Sequence, residues 1–376
     1  MSKYGMVWGG DMRSNILTIV TSVLVMLLLA ACVAEGDLKL AYNRTPVDLG
    51  DDWTIASPES QNIDIAAIEF AYERFFSKDE YRNAISLLII RNNFLVAEGY
   101  ARDMGDRTRY EAVQSISKSI SALLTGIAID EALITSLDLT INDIYPDKLM
   151  RHVDKQNISL RHLLTMSSGI EFDNDNFHVE LVNKGSTDTI DYILNKPFYN
   201  SPGVEFYYRD ADPHLLSYAL QRLSGQSLAA YARTRLFQPL NISNYDWIKD
   251  SNNINYGAYG VYLTPRDLAK IGQLMLQNGQ WNSVQVVSAS WINDSVTKQI
   301  ENSSATTANY DYGFYWWLIP ELNAFTAWGH GGNFVTVMPD KQLVVVLTSF
   351  PNSGNNVGTH LDEFLPVLRR LYNGAN

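Results

Sequence analysis

A serine and a lysine three residues apart are the side chains in this sequence best suited to covalent catalysis. Ser115 and Lys118 lie within residues 114–120, and apolar residues continue after them at the spacing of a helix. Residues three apart on a helix share one face, so the amine and the hydroxyl can touch. An amine beside a hydroxyl can activate it as a nucleophile. The pattern therefore predicts a buried helix with a reactive serine at its start.

This spacing alone does not distinguish catalysis from chance. The sequence holds a second Ser-x-x-Lys pair, Ser295 and Lys298. Serine at the start of a helix is also a routine N-cap. The choice between these interpretations depends on the residues found later in the chain.

Two later stretches carry further candidate residues. Residues 202–210 contain Tyr208 and Asp210, and residues 329–333 read Gly-His-Gly-Gly-Asn before an apolar run. Glycines at the head of a strand let another backbone, such as that of a substrate, lie against the sheet edge.

In this order, the three stretches resemble the motifs of the serine β-lactamase/penicillin-binding-protein superfamily. The resemblance is to the class C β-lactamase-like branch, which includes esterases and 6-aminohexanoate-dimer hydrolases, and it covers residues 85–349. The pair Ser295 and Lys298 comes after the tyrosine, which is outside the order of the family motifs.

The resemblance implies a role for each residue of the first two motifs. Ser115 would be the acylated nucleophile, and Lys118 and Tyr208 would be its acid–base partners. Which of these two takes the first proton stays open. A buried lysine loses its charge readily, and a nearby ammonium lowers the pKa of a phenol, so the chemistry allows both.

For the third motif, the resemblance implies which residues bind the substrate and its oxyanion. His330 stands where the family has a lysine, and it would hydrogen-bond Tyr208 or a substrate carboxylate. Gly331, Gly332 and Asn333 come directly after it. The oxyanion hole would combine the Ser115 N–H with that of Gly332 or Asn333.

Asp210 is also a candidate substrate-binding residue, and it departs from the family pattern, which usually has asparagine at this position. An asparagine can donate a hydrogen bond to an acyl-amide side chain, whereas an ionised aspartate cannot. Together with the missing lysine of the third motif, this favours the esterase and amidase branch over β-lactam hydrolysis.

The expected fold is α+β and β-lactamase/transpeptidase-like, with an antiparallel sheet flanked by helices and an inserted all-helical domain. A hairpin is expected over residues 84–100, helices over 64–76 and 363–372, an amphipathic helix over 259–277 that begins at Thr264-Pro265, and strands over 324–328, 334–338 and 343–349. The expected segments are a signal peptide (1–31), a tether (32–60), an α/β domain (61–138 and 255–376) and an all-helical domain (139–254).

Two further groups of residues are expected to lie around the catalytic residues or in the core. Residues 171–184, which include Phe177 and His178, are expected to form a loop whose walls help to set the substrate. Trp316, Trp317 and Trp328 are expected in the core rather than in a substrate pocket.

The N-terminal region predicts export and lipidation. Residues 16–31 form an apolar run after Arg13, which is short for a membrane span and suited to a signal-peptide core. The run ends in Leu-Ala-Ala before Cys32, which resembles a bacterial lipobox and implies cleavage before Cys32 and its lipidation. The protein would then be periplasmic and anchored to a membrane, expected to be the outer one. An ordinary signal peptide with a stray cysteine and an anchor helix are the alternatives, and translation could start at Met1 or Met12.

Composition limits the partners. The 376 residues are 46% hydrophobic and carry a net charge of −12 without a basic cluster, which argues against nucleic acid. The histidines are scattered, so neither a metal site nor a cofactor is expected.

The expected function is a serine hydrolase that cleaves a small-molecule ester or amide through an acyl-enzyme on Ser115. One alternative is a β-lactamase or a D-alanyl-D-alanine carboxypeptidase-like penicillin-binding protein. Another is a non-catalytic cell-wall binding or regulatory protein with the same fold. The sequence determines neither the substrate nor the oligomeric state.

Overall fold

Strands from both ends of the chain form the main sheet. The computed structural model describes residues 45–77, 81–174, 188–302, 310–350 and 359–376. In chain order the strands are β1 (Thr54–Ile55), β2 (Ala84–Arg91), β3 (Phe94–Tyr100), β4 (Glu111–Ala112), β5 (Asp246–Trp247), β6 (Val261–Leu263), β7 (Gln280–Trp281), β8 (Val284–Gln285), β9 (Asp311–Tyr312), β10 (Trp317–Ile319), β11 (Ala324–Gly329), β12 (Asn333–Met338) and β13 (Leu343–Ser349). The main sheet has the order β1-β3-β2-β13-β12-β11-β10-β9.

Helices flank this sheet and fill the middle of the chain. The α-helices of the described ranges are α1 (Ile65–Ser77), α2 (Ile116–Asp130), α3 (Ile141–Ile144), α4 (Pro146–Leu149), α5 (Leu160–Leu164), α6 (Thr189–Leu194), α7 (Ala211–Ser224), α8 (Leu228–Ala232), α9 (Pro265–Leu276), α10 (Ala289–Ser295) and α11 (Leu361–Gly374).

The sheet is antiparallel except for the short parallel pair of β1 and β3. Every residue of β2, β12 and β13 is buried, which explains why these strands are apolar without alternation. The predicted β2–β3 hairpin is confirmed. Its two-residue turn places Asn92 and Asn93 at φ 51° and 71°, the left-handed conformation that asparagine tolerates in such turns.

Helices cover both faces of the sheet. A Cβ on Gly272 of α9 would lie 2.6 Å from Val344, so α9 packs closely on one face. A Cβ on Gly99 of β3 would lie 2.3 Å from the ring of Tyr72 in α1. Gly99 pairs with Leu87 and Leu87 with Leu347. Because Val344 and Leu347 are three residues apart on one strand, α9 and α1 lie on opposite faces.

A small three-stranded sheet, β4-β6-β5, differs from the expected helical structure. The helical pattern expected from Tyr259 gives way to β6 at Val261–Leu263, and the helix starts at Pro265 with Thr264 as its predicted N-cap. Strand β5 lies inside the region expected to be all-helical, and β1 lies inside the expected tether. Two-residue strands are too short to show a periodic pattern.

The domain and anchor assignments stay predictions. Residues Pro46–Asn376 cluster as one compact unit, and the division into an α/β and a helical domain is not tested. No helix in the described residues has the length and apolarity needed to cross a bilayer. Cys32, Phe177 and His178 lie outside the described residues.

Candidate active site

The backbone just before Ser115 is held in an unusual conformation. Gln114 has φ 54°, a left-handed conformation that costs a side-chain-bearing residue on the order of 1–3 kcal/mol and recurs at functional sites. Val113 donates its N–H to the Val261 carbonyl of β6 at 3.0 Å. A Cβ on Gly329, at the end of β11, would lie 2.5 Å from the Val113 carbonyl oxygen. The small sheet and β11 therefore fix where Ser115 enters α2.

Lys118 lies one turn into α2, with its ammonium at the centre of three acceptors. Its Nζ lies 2.8 Å from Ser115 Oγ, 2.7 Å from Asp210 Oδ1 and 2.9 Å from the Ala258 carbonyl oxygen. The residue is 1% exposed. Lys118 and Ser115 therefore make the contact that their spacing predicts.

The charge state of Lys118 is set by these neighbours. Burial by itself lowers its pKa, but attraction to and hydrogen bonding with Asp210 and Tyr208 outweigh burial, so the pKa lies above its ordinary value. Contact with the Asp210 carboxylate therefore favours the charged form of Lys118.

Tyr208 meets Lys118 from a distant part of the chain. The Lys118 Nζ lies 4.9 Å from the centroid of the Tyr208 ring. The ring also stacks on Trp317, with centroids 5.6 Å apart and planes at 29°. Trp316 and Trp317 are buried as expected, and Trp328 is half-buried. Trp317 thus holds the phenol of Tyr208 against the amine.

The segment that carries Tyr208 is irregular and is pinned by the turn after α5. Tyr207 N–H donates to the Met166 carbonyl at 2.9 Å, and Gly203 N–H to that of Ser167 at 2.8 Å. The guanidinium of Arg209 donates to the carbonyls of Tyr207 and Ile170. These bonds satisfy the backbone of a segment that has no sheet partner.

A buried carboxylate completes this support. Asp212 accepts hydrogen bonds from the backbone and the hydroxyl of Ser168 at 3.2 and 2.5 Å. Burial raises the pKa of Asp212 from 3.8 to about 6, although Arg209 and Ser168 act in the opposite direction.

Asp210 forms an ion pair with Lys118, and its substrate-binding role stays a prediction. Its carboxylate pairs with Lys118, and its side chain is 13% exposed. Its backbone N–H donates to Asn174 Oδ1 at 2.8 Å. The negative charge of Asp210 is thus balanced by the buried Lys118 amine.

The third motif forms the turn between β11 and β12. His330 is exposed, and the Gly332 N–H lies 3.2 Å from the Gly329 carbonyl, which closes the turn. The Asn333 side chain bonds the His330 carbonyl and the backbone of Ser349, so it fastens β12 to β13. The substrate-binding and oxyanion roles of His330, Gly331, Gly332 and Asn333 stay predictions.

Three residues near Lys118 or Asp210 were missed by sequence reasoning. Ala258 offers only a carbonyl, and Asn174 only a contact to one backbone N–H. The hydroxyl of Tyr259 has its pKa raised, chiefly by burial and further by Tyr256 and Asp210. None of the three stands in a recognisable pattern, so no sequence signal could have found them.

The second Ser-x-x-Lys pair is structural. Ser295 is buried and donates to the Trp291 carbonyl at 2.8 Å. Lys298 pairs with Glu301 and Asp311 at the surface. Among the described residues no group of three His, Cys, Asp or Glu side chains could hold a metal ion.

Comparisons with known proteins show the family of the chain. The chain matches the β-lactamase family over residues 72–362. It is 23% identical to a 6-aminohexanoate-dimer hydrolase of Paenarthrobacter ureafaciens over 292 residues, which are 71% of this chain and 73% of that protein.

Solved structures share the fold. A family VIII carboxylesterase superposes with a TM-score of 0.62 at 15% identity, over 86% of this chain and 98% of the esterase. An octameric penicillin-binding protein homologue from Pyrococcus abyssi gives a TM-score of 0.63 at 20% identity, over 82% and 77% of the two chains.

The match to the family spans most of the chain. The chain therefore belongs to the β-lactamase family and is a serine hydrolase.

Proposed function

We propose that this protein hydrolyses a small-molecule ester or linear amide through an acyl-enzyme on Ser115. The observation that carries the proposal is that Lys118 contacts both Ser115, its neighbour on α2, and Tyr208, which comes from a distant part of the chain. Lys118 lies 2.8 Å from the Ser115 hydroxyl and also contacts the Tyr208 ring. A hydroxyl, an amine and a phenol in one cluster supply a nucleophile and its proton-transfer partners.

Acylation begins when Ser115 Oγ attacks the substrate carbonyl carbon and gives its proton to the Lys118–Tyr208 pair. The carbonyl π electrons move onto oxygen, and backbone N–H groups stabilise this oxyanion. The tetrahedral intermediate collapses, the bond to the leaving group breaks, and the leaving group takes the proton back from the pair.

Deacylation repeats these steps with water. The pair accepts a proton from the water as its oxygen attacks the ester carbon of the acyl-enzyme. The bond to Ser115 Oγ then breaks, and the proton returns to that oxygen. The product acid leaves and the enzyme is regenerated.

The preference for esters and linear amides over β-lactams rests on two positions. Asp210 occupies the place of an asparagine that could donate to an acyl-amide side chain, and its carboxylate is engaged by Lys118. His330 occupies the place of a lysine. The 6-aminohexanoate-dimer hydrolase and carboxylesterase likenesses support the same preference.

The test is a side-by-side assay of purified protein on short-chain p-nitrophenyl esters, linear amides and nitrocefin. We expect turnover of esters or amides and little of nitrocefin. Ser115→Ala should lose at least about 10³-fold, since removal of a catalytic serine costs up to about 10⁶-fold. Tyr208→Phe should lose about 10²–10⁴-fold, as expected for an acid–base group.

Ser295→Ala is the matched control, because it removes the serine of the second Ser-x-x-Lys pair and should keep wild-type turnover. Preferred turnover of nitrocefin, or stable acylation by a fluorescent penicillin, would favour the β-lactamase or carboxypeptidase alternative. A folded protein that turns over none of these substrates would favour the non-catalytic alternative.

A further inference from the structure

Asp210 begins α7 without capping it. Aspartate is a preferred N-cap because its carboxylate accepts a hydrogen bond from the first turn of the helix. Here the Asp210 side chain makes no capping bond to α7. It turns instead to Lys118 Nζ, 2.7 Å away. The side chain that could cap α7 therefore forms this ion pair instead.

The pair is almost fully enclosed. The side chain of Lys118 is 2% exposed and that of Asp210 is 13% exposed. Asn174 fixes the backbone of Asp210 by accepting its N–H at 2.8 Å. An ion pair in such surroundings is only weakly screened by water and salt, so the carboxylate acts strongly on the ammonium.

The geometry around Lys118 would suit either charge state of the amine. An ammonium donates three hydrogen bonds, and Ser115, Asp210 and Ala258 provide three acceptors. A neutral amine would donate to Asp210 and Ala258 and would accept the proton of Ser115. The carboxylate decides between these forms, because a negative charge in contact favours the ammonium.

We propose that Asp210 is a positioning residue that keeps Lys118 protonated throughout the reaction and thereby leaves Tyr208 to accept the proton of Ser115. This inference rests on the proposed function, since it concerns the same acylation step. The Ser115 Oγ–H bond breaks, the proton passes to the Tyr208 oxygen, and Lys118 remains an ammonium that stabilises the phenolate before that transfer.

The charge of Asp210 also bears on the pH dependence of acylation. Among the described residues, the other ionisable groups that act on the pair are the phenols of Tyr208 and Tyr259, and the pKa of Tyr259 is raised, chiefly by burial. Acylation requires one proton to leave the Lys118–Tyr208 pair, and this titration belongs to the pair as a whole. The Asp210 charge opposes the loss of this proton. Removal of the charge therefore shifts the acidic side of the pH profile of the acylation rate to lower pH.

The experiment measures the rate at which a fluorophosphonate labels Ser115 from pH 5 to 10. In this step Ser115 Oγ loses its proton and bonds to phosphorus while fluoride leaves, so the rate reports nucleophilic attack without turnover. Asp210→Asn removes the charge and keeps the shape, whereas Asp210→Glu keeps the charge and changes the shape. On the acidic side of the pH profile the labelling rate falls with decreasing pH. We expect the midpoint of this fall to lie at least one pH unit lower in Asp210→Asn than in wild type. In Asp210→Glu it should stay within half a unit of wild type. A midpoint that does not move in folded Asp210→Asn overturns the inference. If the Asn variant does not fold, a midpoint shifted by one unit in Asp210→Glu overturns it.

A second readout assigns the proton acceptor. In the wild-type background Tyr208→Phe should slow labelling at least 100-fold. In the Asp210→Asn background the same change should cost at least tenfold less, because a neutral Lys118 can then accept the proton. Equal losses in both backgrounds would contradict the assignment. Labelling that persists in Ser115→Ala would instead refute the proposed function, so the two failures are distinguishable.

Discussion

Asp212 is a buried acid whose protonation is linked to folding. Its carboxylate is held by Ser168, and burial raises its pKa from 3.8 to about 6. Between these two pH values the folded state binds more protons than the unfolded state. The free energy of unfolding therefore decreases as the pH rises through this window.

We predict that Asp212→Asn removes this pH dependence. Relative to the variant, the wild type should lose on the order of 3 kcal/mol of stability between pH 4 and pH 7, at about 1.4 kcal/mol for each pKa unit. Urea unfolding of both proteins at intervals of one pH unit measures the difference.

Asp138→Asn provides the control, because the Asp138 side chain is 81% exposed. The free energy of unfolding of Asp138→Asn should stay within about 0.5 kcal/mol of the wild-type value at every pH. The contradicting result is a difference in the free energy of unfolding between wild type and Asp212→Asn that is the same at pH 4 and at pH 7. It would show that Asp212 does not titrate in this window.

Single residues differ in how far the sequence could place them. Ser115 and Lys118 are local neighbours, so helical geometry predicts their contact. Tyr208 is one of 21 tyrosines, and only the family resemblance singles it out. The partner of Asp210 was not predictable, because an ion pair between residues 92 positions apart depends on the packing of α2 against α7.

Arg266 of α9 joins three elements through a buried ion network. Its guanidinium donates to both oxygens of Glu98 in β3 at 2.8 and 2.9 Å, and to Asp51 and the Val47 carbonyl in the N-terminal segment. Arg266 is 2% exposed and Glu98 is fully buried. The network therefore ties the N-terminal segment to both the sheet and α9.

We predict that Arg266→Ala lowers the free energy of unfolding by about 3 kcal/mol, because the buried Glu98 carboxylate loses its bidentate partner. Arg107, 2.7 Å from Glu98, remains and keeps the loss at the lower end for a broken buried ion pair. Arg369→Ala is the matched control. Arg369 donates to both oxygens of Glu321 at 2.8 Å, but both side chains are about half exposed, so its loss should cost about 0–1 kcal/mol. Urea unfolding measures both variants. Equal losses of unfolding free energy in Arg266→Ala and Arg369→Ala would contradict the larger contribution assigned to the buried network.

The long elements are predictable from the sequence and the short ones are not. Strands β2, β3 and β13 and helices α1 and α9 lie close to where their apolar patterns predict them. The β4-β6-β5 sheet has strands of two or three residues, whose pairing is set by tertiary contacts rather than by local pattern. This sheet holds the residue before Gln114, so the least predictable element is the one that positions the nucleophile.

At the scale of the whole molecule, the motif at Cys32 predicts a lipid anchor. Acyl chains hold a protein on a membrane through about 0.8 kcal/mol for each buried CH₂. We predict that the full chain expressed in a bacterium incorporates labelled palmitate and sediments with membranes. Cys32→Ser should lose the label and enter the soluble fraction, while Ser115→Ala should behave as wild type.

Two outcomes would count against this anchor. If Cys32→Ser still incorporates palmitate, the lipid lies elsewhere. If wild type sediments without any label, an uncleaved anchor helix explains the location better.

The architecture as a whole was predictable because the motifs fix the order of its parts. Two ends that pair as strands and a middle that is mainly helical predict an α+β fold, and the sheet order confirms that strands from both ends meet. The contacts that bring residues 113, 166 and 258 around one site depend on how the parts pack, which one sequence does not specify.

The central claim is that Ser115 is the nucleophile of the reaction, and mass spectrometry of protein labelled on its nucleophile tests it most directly. The folded protein is treated with a fluorophosphonate and digested, and the modified peptide is sequenced. The account predicts one adduct per chain, on Ser115, and none on Ser115→Ala. An adduct on another serine, Ser295 included, or equal labelling of Ser115→Ala, would contradict it.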